Sequence, residues 1–239
     1  MSLRSLTDNL RVSLYFLFTT VTLIISFFPE GFILYYFLTN DQAEIVLYLL
    51  IPLSLFLSYC ITVILFGVIH SQLVVRLFLP FRIKPGEYHG SKGRLIEVRV
   101  TADGIFKSML KFFQFLPIFW SAILFPYLMR LYGFKCGGNA YIATKTAIDT
   151  CLVEIGKNCF IGMNAMLKGY ERKRNGTIVV NPTKIGNRCT IGTYAIVEPG
   201  VVLGDRSILG AKSIFVKGQK INPNEIWIGH PAKFLKNRG

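Results

Sequence analysis

Residues Ile185 to Gly210 read IGNRCT-IGTYAI-VEPGVV-LGDRSI-LG, and this stretch decides the fold because it repeats every six residues. Each repeat begins with an aliphatic residue, often continues with Gly, and has a small residue in fifth place. Such a period predicts one short strand and one corner per repeat, so that three repeats complete a triangular coil. The first and fifth residues then point into a narrow prism, and Gly in second place suits a corner where backbones approach closely.

The same register continues on both sides of this stretch, so the pattern is more than a chance match of one or two repeats. One extra residue precedes Ile155. The first places are Ile142, Ile148, Ile155, Ile161, Leu167, Ile185, Ile191, Val197, Leu203, Leu209, Phe215 and Ile221. The sequence therefore predicts a mainly β fold, a left-handed parallel β-helix of hexapeptide repeats over residues 134–239, with a C-terminal cap from residue 222.

One segment, from Lys168 to Lys184, interrupts the repeats. It contains the polar run YERKRNG, which begins at Tyr170. The first places on either side, Leu167 and Ile185, remain 18 residues apart (185 − 167), so we expect a loop or a bulged coil that replaces regular strands. Loops held by a rigid scaffold often carry function. A solvated basic loop beside a membrane explains the same composition.

Composition separates the chain into an apolar first half and a polar second half. Of 239 residues, 52% are hydrophobic and the mean hydropathy is +0.46, with the excess lying before about residue 130. The formal net charge is +14. No basic recognition helix or aromatic-plus-basic platform is visible, so nucleic acid is not an expected partner. The charge instead favours anionic lipid headgroups, a phosphate-bearing cofactor, or both.

The five cysteines form no C-x-x-C pair and have no Cys/His spacing that suits zinc. An odd number of cysteines without a disulfide framework indicates a reducing compartment and small buried side chains. We therefore expect no metal site.

Two uncharged apolar runs, Val12 to Phe28 and Ile45 to Ile69, are each long enough to cross a bilayer. They predict a transmembrane hairpin over residues 12–69 within a membrane region that extends over residues 1–133. The turn between the runs contains acids and no Lys or Arg. Basic residues lie outside it, at Arg4, Arg11, Arg76, Arg82 and Lys84. The positive-inside rule then predicts an integral membrane protein whose β-helix lies on the cytoplasmic side.

The rest of the first half is less regular. Glu30 interrupts the first run, either as a functional acid inside the bilayer or as part of a turn at the interface. An amphipathic connection over residues 70–111 includes Lys92 to Val100, which we interpret as a short strand or an amphipathic piece. Residues 112–133 contain two prolines and predict interfacial or re-entrant helices, with a third crossing as the alternative.

Three motifs of the second half resemble the hexapeptide-repeat acyltransferases, in particular their sugar O-acetyltransferase branch. They are NPTKIGNRCTIG from Asn181, VEPGVVLG from Val197 and IGHPAK from Ile228. A second resemblance includes the first half: RIKPGEY from Arg82 and LYGFKCGG from Leu131 are similar to the membrane-associated C-terminal region of poly-lysine-synthetase-type proteins.

The resemblance implies a homotrimer in which an acyl-CoA, usually acetyl-CoA, lies in the groove between neighbouring prisms. By motif position it assigns donor contacts to Thr193, Ala211, Lys217 and Lys233, the two lysines as phosphate-binding charges. It assigns acceptor contacts to Asp149 and Asn164.

The chain departs from the family pattern at the catalytic base. Members of the family use a His in the irregular loop, where this chain reads LKGYER from Leu167. Candidate substitutes are the acids Glu171, Glu198 and Asp149, each of which could act as a base if partly desolvated and is equally explained as an ordinary surface carboxylate. Tyr170, which stands where the His would lie, is a further candidate.

Three functions are therefore expected. The first is a membrane-bound acyltransferase that moves an acyl group from a CoA or carrier thioester to a hydroxyl or amine of a membrane-associated, possibly lipid-linked, acceptor. The second is a peptide-bond-forming variant of the same reaction. The third is a non-catalytic trimeric membrane scaffold, which the missing His favours, whereas the retained donor-side positions favour the first.

Overall fold

A computed structural model describes residues 3–28, 31, 32, 35, 39, 44–80, 82–109, 125–130 and 133–238 of the chain. The interruption at Glu30 and residues 110–124 of the predicted interfacial helices lie outside the described residues.

Helices make up the described part of the first half. Their bounds are α1 Leu3–Ser26, α2 Glu44–Ile69, α3 Arg76–Phe78, α4 Gly90–Met109 and α5 Phe125–Met129, and a π-helical turn, His70–Val75, joins α2 to α3. α1 packs on α2, where the Thr62 hydroxyl donates a hydrogen bond to the Ser26 carbonyl oxygen at 2.7 Å. Of the residues described, the stretch Ser5–Ser26 alone is long and apolar enough to cross a membrane, and Pro52–Gly67 is a shorter apolar helix.

The second half is a parallel β-helix with three faces. Face 1 contains β2 Lys135–Cys136, β5 Val153–Ile155, β10 Thr183–Ile185, β13 Val202–Leu203 and β16 Lys220–Ile221. Face 2 contains β3 Tyr141–Ile142, β6 Phe160–Ile161, β11 Thr190–Ile191, β14 Ile208–Leu209 and β17 Glu225–Gly229, with β18 Ala232–Asn237 antiparallel at its edge. Face 3 contains β4 Ala147–Ile148, β7 Met166–Leu167, β12 Ile196–Val197 and β15 Ile214–Phe215.

The predicted register is confirmed by strand pairing and burial. Ile185 pairs with Leu203, Ile191 with Leu209, and each of these side chains is no more than 4% exposed. Stacked apolar side chains fill the prism and stabilise it by removing their surface from water. The fifth places are also buried, including Ala195 at 0%. Small side chains are required there because first-place side chains already occupy most of the interior.

Glycine in second place reflects close approach between coils, as predicted. A Cβ atom on Gly156 would lie 2.5 Å from the carbonyl oxygen of Gly186 in the next coil. On Gly192 it would lie 2.4 Å from the backbone nitrogen of Ala211. Both distances are shorter than real Cβ contacts, so any side chain there would push neighbouring coils apart.

The interruption is a β-hairpin, and the prediction of a bulged coil that replaces strands is wrong. β8 Tyr170–Arg172 and β9 Ile178–Val180 pair antiparallel, and β1 Gly86–Tyr88 pairs with β9 to complete a three-stranded sheet. We call these strands the hairpin sheet. The chain enters the hairpin from face 3 and continues into face 1 with no strand of the coil missing. The insertion is a multiple of six residues long, which is why the spacing across it looked regular.

The segment Lys92 to Val100 lies within helix α4, so its interpretation as a short strand is wrong. Apolar and charged residues alternate in this segment because the helix is buried on two sides. Leu95 and Val98 belong to the main core, whereas Ile96 and Val100 pack in a second cluster that includes residues of the hairpin sheet. Tertiary contacts on two sides therefore produced a periodicity that resembles a strand.

Both ends of the β-helix are covered. At the first coil, the rings of Phe125 in α5 and Phe134 lie 6.2 Å apart in an edge-on arrangement. At the last coil, β18 folds back on β17, and the Trp227 ring lies 5.9 Å from Phe215 at the end of the apolar column. Terminal coils of such stacks need covering because their outer faces would otherwise expose the core.

Candidate functional site

A cavity of about 450 Å³ lies where the hairpin leaves the β-helix, at the corner between faces 3 and 1. We call it the hairpin cavity. Its lining residues are Ala147, Asp149, Met166, Leu167, Lys168, Tyr170, Glu171, Arg172 and Glu198. Consecutive coils supply Asp149, Lys168 and Glu198, each of which follows the last residue of a face 3 strand. The regular stacking of the coils therefore aligns their charged groups along one corner.

Asp149 fixes the start of the hairpin. Its Oδ2 atom accepts a hydrogen bond from the backbone N–H of Gly169 at 2.9 Å. Thr183 holds the other end, because its buried hydroxyl donates to the carbonyl oxygen of Lys168 at 2.6 Å. The two contacts set the position at which Tyr170 and Glu171 enter the cavity.

Two ion pairs cross the cavity wall. Lys168 Nζ lies 2.7 Å from Glu198 Oε1, and both side chains are about one-third exposed. Lys217, one coil beyond Glu198, pairs with Glu171 of the hairpin. The first pair joins successive coils, and the second joins the hairpin to the β-helix.

Burial raises the pKa of two titratable groups of the cavity. It raises the pKa of the Asp149 carboxyl, against the opposing effects of the Gly169 hydrogen bond and the nearby Lys107 charge. Burial also raises the pKa of the Tyr170 hydroxyl, and the Asp149 charge adds to this effect. A carboxyl group with a raised pKa is better suited to accept a proton near neutral pH than an ordinary surface acid.

Helix α4 supports the cavity from behind. Lys107 Nζ donates to the carbonyl oxygen of Ile148 at 2.7 Å. One turn earlier, Asp103 accepts a hydrogen bond from the Thr150 hydroxyl at 2.5 Å and pairs with Arg99, and all three residues are no more than 1% exposed. The residues on both sides of Asp149 are therefore fixed by the helical half of the chain.

The structure brings four of the predicted site residues together, since Asp149, Tyr170, Glu171 and Glu198 all line the hairpin cavity. Lys217 reaches the same corner through its pair with Glu171. Their catalytic, acceptor-binding and donor-binding roles stay predictions.

The other predicted contacts lie elsewhere on the β-helix. Asn164, Thr193 and Ala211 follow the strands of face 2, at the corner between faces 2 and 3. Lys233 lies on the terminal strand β18, opposite Ile228. Within one copy, these residues and the hairpin cavity are separated by face 3.

Sequence reasoning missed Lys168, Arg172 and the contributions of helix α4. Lys168 stands in second place of its repeat, where Gly is common, and that exception was the available signal. Arg172 pairs with Glu97 of α4 at 3.0 Å, a contact between residues 75 positions apart (172 − 97) that no local pattern reveals. Among the residues described, no cluster of three metal-ligating side chains occurs.

Two family models match the β-helix. Residues 182–216 match the bacterial transferase hexapeptide model of six repeats, and residues 152–169 match the hexapeptide repeat of succinyl-transferase. These two matches support a likeness of the β-helix to the hexapeptide-repeat acyltransferases. The hairpin that bounds the cavity lies between the two matched segments, which end at residue 169 and resume at residue 182.

Individual relatives of this hexapeptide-repeat chain fall into two groups. Delta-poly-L-ornithine synthetase of Acinetobacter baumannii is 30% identical over 204 residues, which is 83% of this chain and 14% of that protein. Galactoside O-acetyltransferase of Escherichia coli is 33% identical over 116 residues, 43% of this chain and 56% of the relative. The chain thus spans a small part of the first relative and about half of the second.

Solved structures of hexapeptide-repeat proteins also resemble the chain. A maltose O-acetyltransferase from Clostridium difficile is 28% identical, with a TM-score of 0.40 over 44% of this chain and 58% of that one. A hexapeptide-repeat acetyltransferase from Vibrio cholerae is 16% identical, with a TM-score of 0.45 over 60% of this chain and 93% of that one.

Proposed function

We propose that this chain is a membrane-bound acyltransferase that moves an acyl group from a CoA or carrier thioester to a hydroxyl or amine of a membrane-associated acceptor. The observation that carries the proposal is the hairpin cavity, which collects Asp149, Tyr170, Glu171 and Glu198 beside a basic side chain of the same corner. The relationship to galactoside O-acetyltransferase supports acyl transfer as the reaction class.

In the proposed reaction, the acceptor oxygen or nitrogen attacks the thioester carbonyl carbon while Asp149 takes the proton from the attacking atom. The new acyl–oxygen or acyl–nitrogen bond forms, the carbon–sulfur bond breaks, and the proton passes to the departing thiolate. Asp149 is chosen because burial raises its pKa toward the range in which a base works at neutral pH. Glu171 and Glu198 orient the acceptor, and Tyr170 donates a hydrogen bond because its raised pKa keeps it protonated.

The donor is proposed to bind between copies of the chain. Thr193 and Ala211 lie on the corner between faces 2 and 3, away from the hairpin cavity of the same copy. A homotrimer would place that corner beside the cavity of a neighbouring copy. Lys217 and Lys233, both exposed, would supply positive charge to the donor phosphates.

The exterior of the β-helix supports a homotrimer. Outward residues on faces 2 and 3 are mostly apolar, such as Phe160 at 46% and Met166 at 37% exposure. The outward residues of face 1 are mostly charged, with exposed Lys184 and Lys220. Two apolar faces and one charged face fit a closed arrangement in which face 1 remains in water.

The surface of α1 supports membrane attachment. Leu10, Leu17 and Ile24 are spaced seven residues apart on one side of the helix and are 57%, 59% and 67% exposed. Such a stripe suits lipid contact through the predicted hairpin over residues 12–69. With the basic flanks on the inner side, the β-helix of residues 134–239 faces the cytoplasm.

A peptide-bond-forming variant is the second candidate. The similarity to a poly-ornithine synthetase covers 83% of this chain, against 43% for galactoside O-acetyltransferase, and so includes helical residues as well as repeats. The same chemistry with an amine acceptor and an aminoacyl thioester would form an amide bond.

Transfer of label from [¹⁴C]acetyl-CoA tests the proposal with the full chain in detergent. The acceptor panel contains an ornithine and a lysine derivative, a hexose, a hexosamine and a bacterial lipid extract. We expect labelled product and an equal amount of free CoA thiol with at least one acceptor. Release of thiol without a labelled acceptor would indicate hydrolysis of the thioester to labelled acetate, and would contradict transfer to these acceptors. Neither thiol nor labelled product with any acceptor would favour the non-catalytic scaffold.

A further inference from the structure

A second cavity, of about 530 Å³, lies on the other side of the hairpin from the hairpin cavity. We call it the junction pocket because the helical half and the first coils of the β-helix form it together. Its lining residues are Arg82, Ile83, Lys84, Pro85, Gly133, Lys135, Thr150, Cys151, Leu152, Val153, Glu154 and Pro182. None of the roles proposed above uses it.

The junction pocket has an apolar floor and a basic rim. Leu152 and Val153 are 3% and 1% exposed and form part of the floor. Arg82 and Lys84 are exposed at the rim, and within the described part of the chain neither forms an ion pair with a carboxylate. Lys135 is the third basic residue, and its charge is compensated by its partner Glu154. The rim therefore keeps a net charge of +2 from Arg82 and Lys84.

The rim is held in place by packing. Ile83, between the two basic residues, packs against the buried cluster that contains Leu152 and strand β9. The carbonyl oxygen of Lys84 accepts a hydrogen bond from the Tyr88 hydroxyl at 2.7 Å. A fixed backbone keeps two cations at one edge of an apolar depression, and this combination suits an amphiphile better than a free ion.

The position of the basic rim along the chain also favours a lipid as the ligand. The helical segment that precedes the rim exposes Leu73 at 56% and Leu77 at 69%. Arg82 follows Leu77 by five residues (82 − 77), so apolar exposed side chains are succeeded by cations within a short distance. This order is the one found where a chain leaves the hydrocarbon region and meets the headgroups.

We propose that the junction pocket binds the phosphate group of an anionic membrane lipid, with Arg82 and Lys84 on the phosphate and the apolar floor against the adjoining carbon chain. This proposal rests on the proposed membrane location and is independent of acyl transfer. A bound lipid would connect the bilayer surface to the junction pocket, which the hairpin separates from the proposed catalytic cavity.

The test uses the full chain in a maltoside detergent and follows thermal unfolding with three probes. They are dihexanoyl phosphatidylglycerol, dihexanoyl phosphatidylcholine and inorganic phosphate at equal concentrations. We expect a saturable rise in Tm with phosphatidylglycerol that exceeds the rise with either other probe. R82Q/K84Q should weaken phosphatidylglycerol binding by about tenfold or more, because each cation near a lipid surface contributes to attraction.

The matched control is K184Q/K220Q, which removes two exposed lysines of face 1 outside the pocket. It should bind phosphatidylglycerol as the unmodified chain does. Equal weakening in both double variants, or no saturable rise, would overturn the proposal. An equal rise in Tm with inorganic phosphate would show that the pocket binds free phosphate and would overturn the proposal that it binds a lipid. The Tm rise with acetyl-CoA, measured on the same variants, reports separately on the acyltransferase proposal.

Discussion

Asp149 is the residue on which the proposed chemistry depends most. It lies between Ile148 and Thr150, whose backbone and side chain are held by Lys107 and Asp103 of helix α4. The carboxyl group is partly buried, so water cannot stabilise its charge fully, and its pKa rises. Neighbouring donors reduce this effect without cancelling it.

Replacing Asp149 with Asn should lower acyl transfer by about 10²-fold or more, as expected when a general base is lost. The Asn side chain keeps an oxygen that can accept the Gly169 hydrogen bond, so the hairpin should stay in place. Rates of thiol release at saturating acceptor provide the measurement, and Glu154→Gln on face 1 is the control. Activity within threefold of the unmodified chain would exclude Asp149 as the base.

The same carboxyl group predicts a pH dependence of stability. Its pKa in the folded chain lies above the unfolded value, so its favourable contribution is complete below the unfolded pKa of about 3.8. That contribution is lost as pH rises through the folded pKa, because the charge must then be carried in a buried place. The Tm of Asp149→Asn relative to the unmodified chain should therefore rise as the pH increases from about 4 through the raised pKa of Asp149. A constant or falling difference would contradict the burial effect.

At this scale the sequence identified candidates but not their arrangement. The absence of His from LKGYER pointed to acids as substitutes, and the structure places three acids in one cavity. The ion pairs of Lys168 with Glu198 and of Lys217 with Glu171 join residues 30 and 46 positions apart, so only the folded coils bring them into contact.

Among the elements, the hairpin has the clearest consequence for the fold. Removing Tyr170 to Asn181 deletes 12 residues (181 − 170 + 1) and leaves Ile185 as the sixth residue after Leu167, which restores one regular repeat. The β-helix should then still fold, because face 3 leads directly into face 1. The hairpin cavity would be lost, and acyl transfer with it.

Circular dichroism and thermal unfolding of this deletion variant measure the first expectation, and the transfer assay measures the second. A deletion of ten residues, Tyr170 to Val179, is the control, because it leaves Val180 and Asn181 as two surplus residues within the repeat that begins at Leu167. Loss of β structure in the 12-residue deletion to the same extent as in the control would contradict an inserted hairpin.

Helix α4 is the element that connects the two halves of the chain. Asp103 pairs with the fully buried Arg99 and accepts a hydrogen bond from Thr150 of the first coil. Asp103→Asn should cost about 3–5 kcal/mol, because it removes the charge partner of a buried cation. Denaturant unfolding measures this loss. The control Lys135→Gln breaks an exposed pair and should cost under about 1 kcal/mol. Equal losses in the free energy of unfolding would contradict the larger contribution expected of the buried Arg99 pair.

The elements differ in how far sequence predicts them. The six-residue period predicts the strands of the β-helix, because each inward side chain stacks on the equivalent side chain of the next coil. Helix α4 resembled a strand because the main core and the hairpin sheet bury it on two sides. The hairpin resembled a bulged coil because its length preserves the period.

For the whole molecule, the outward faces predict assembly. Phe160→Glu places a charge on apolar face 2, where its ring stacks on Tyr141 with centroids 5.2 Å apart. This variant should shift the chain from trimer toward monomer in light scattering corrected for detergent. Val202→Glu on face 1 makes the same change on a face that is mostly charged, and it should leave the trimer intact. A monomeric unmodified chain would contradict the proposed donor groove.

Composition and repeats indicated the two halves of the molecule, but they could not indicate how the halves are joined. Contacts such as Arg172 with Glu97 and Lys173 with Glu87 connect the hairpin to the helical half across long sequence separations. We propose bilayer crossing, orientation and trimer formation from the exposed surfaces and the charge distribution.

The most direct test of the central claim is thermal unfolding of the full chain in detergent with acetyl-CoA and with free CoA. A ligand present at about 100 times its Kd stabilises the folded state by about 2.7 kcal/mol, which is readily measured as a rise in Tm. An acyltransferase should give a saturable rise with both ligands, and Lys217→Glu should weaken it. No rise with either ligand, in a protein shown to be trimeric, would contradict CoA-dependent acyl transfer.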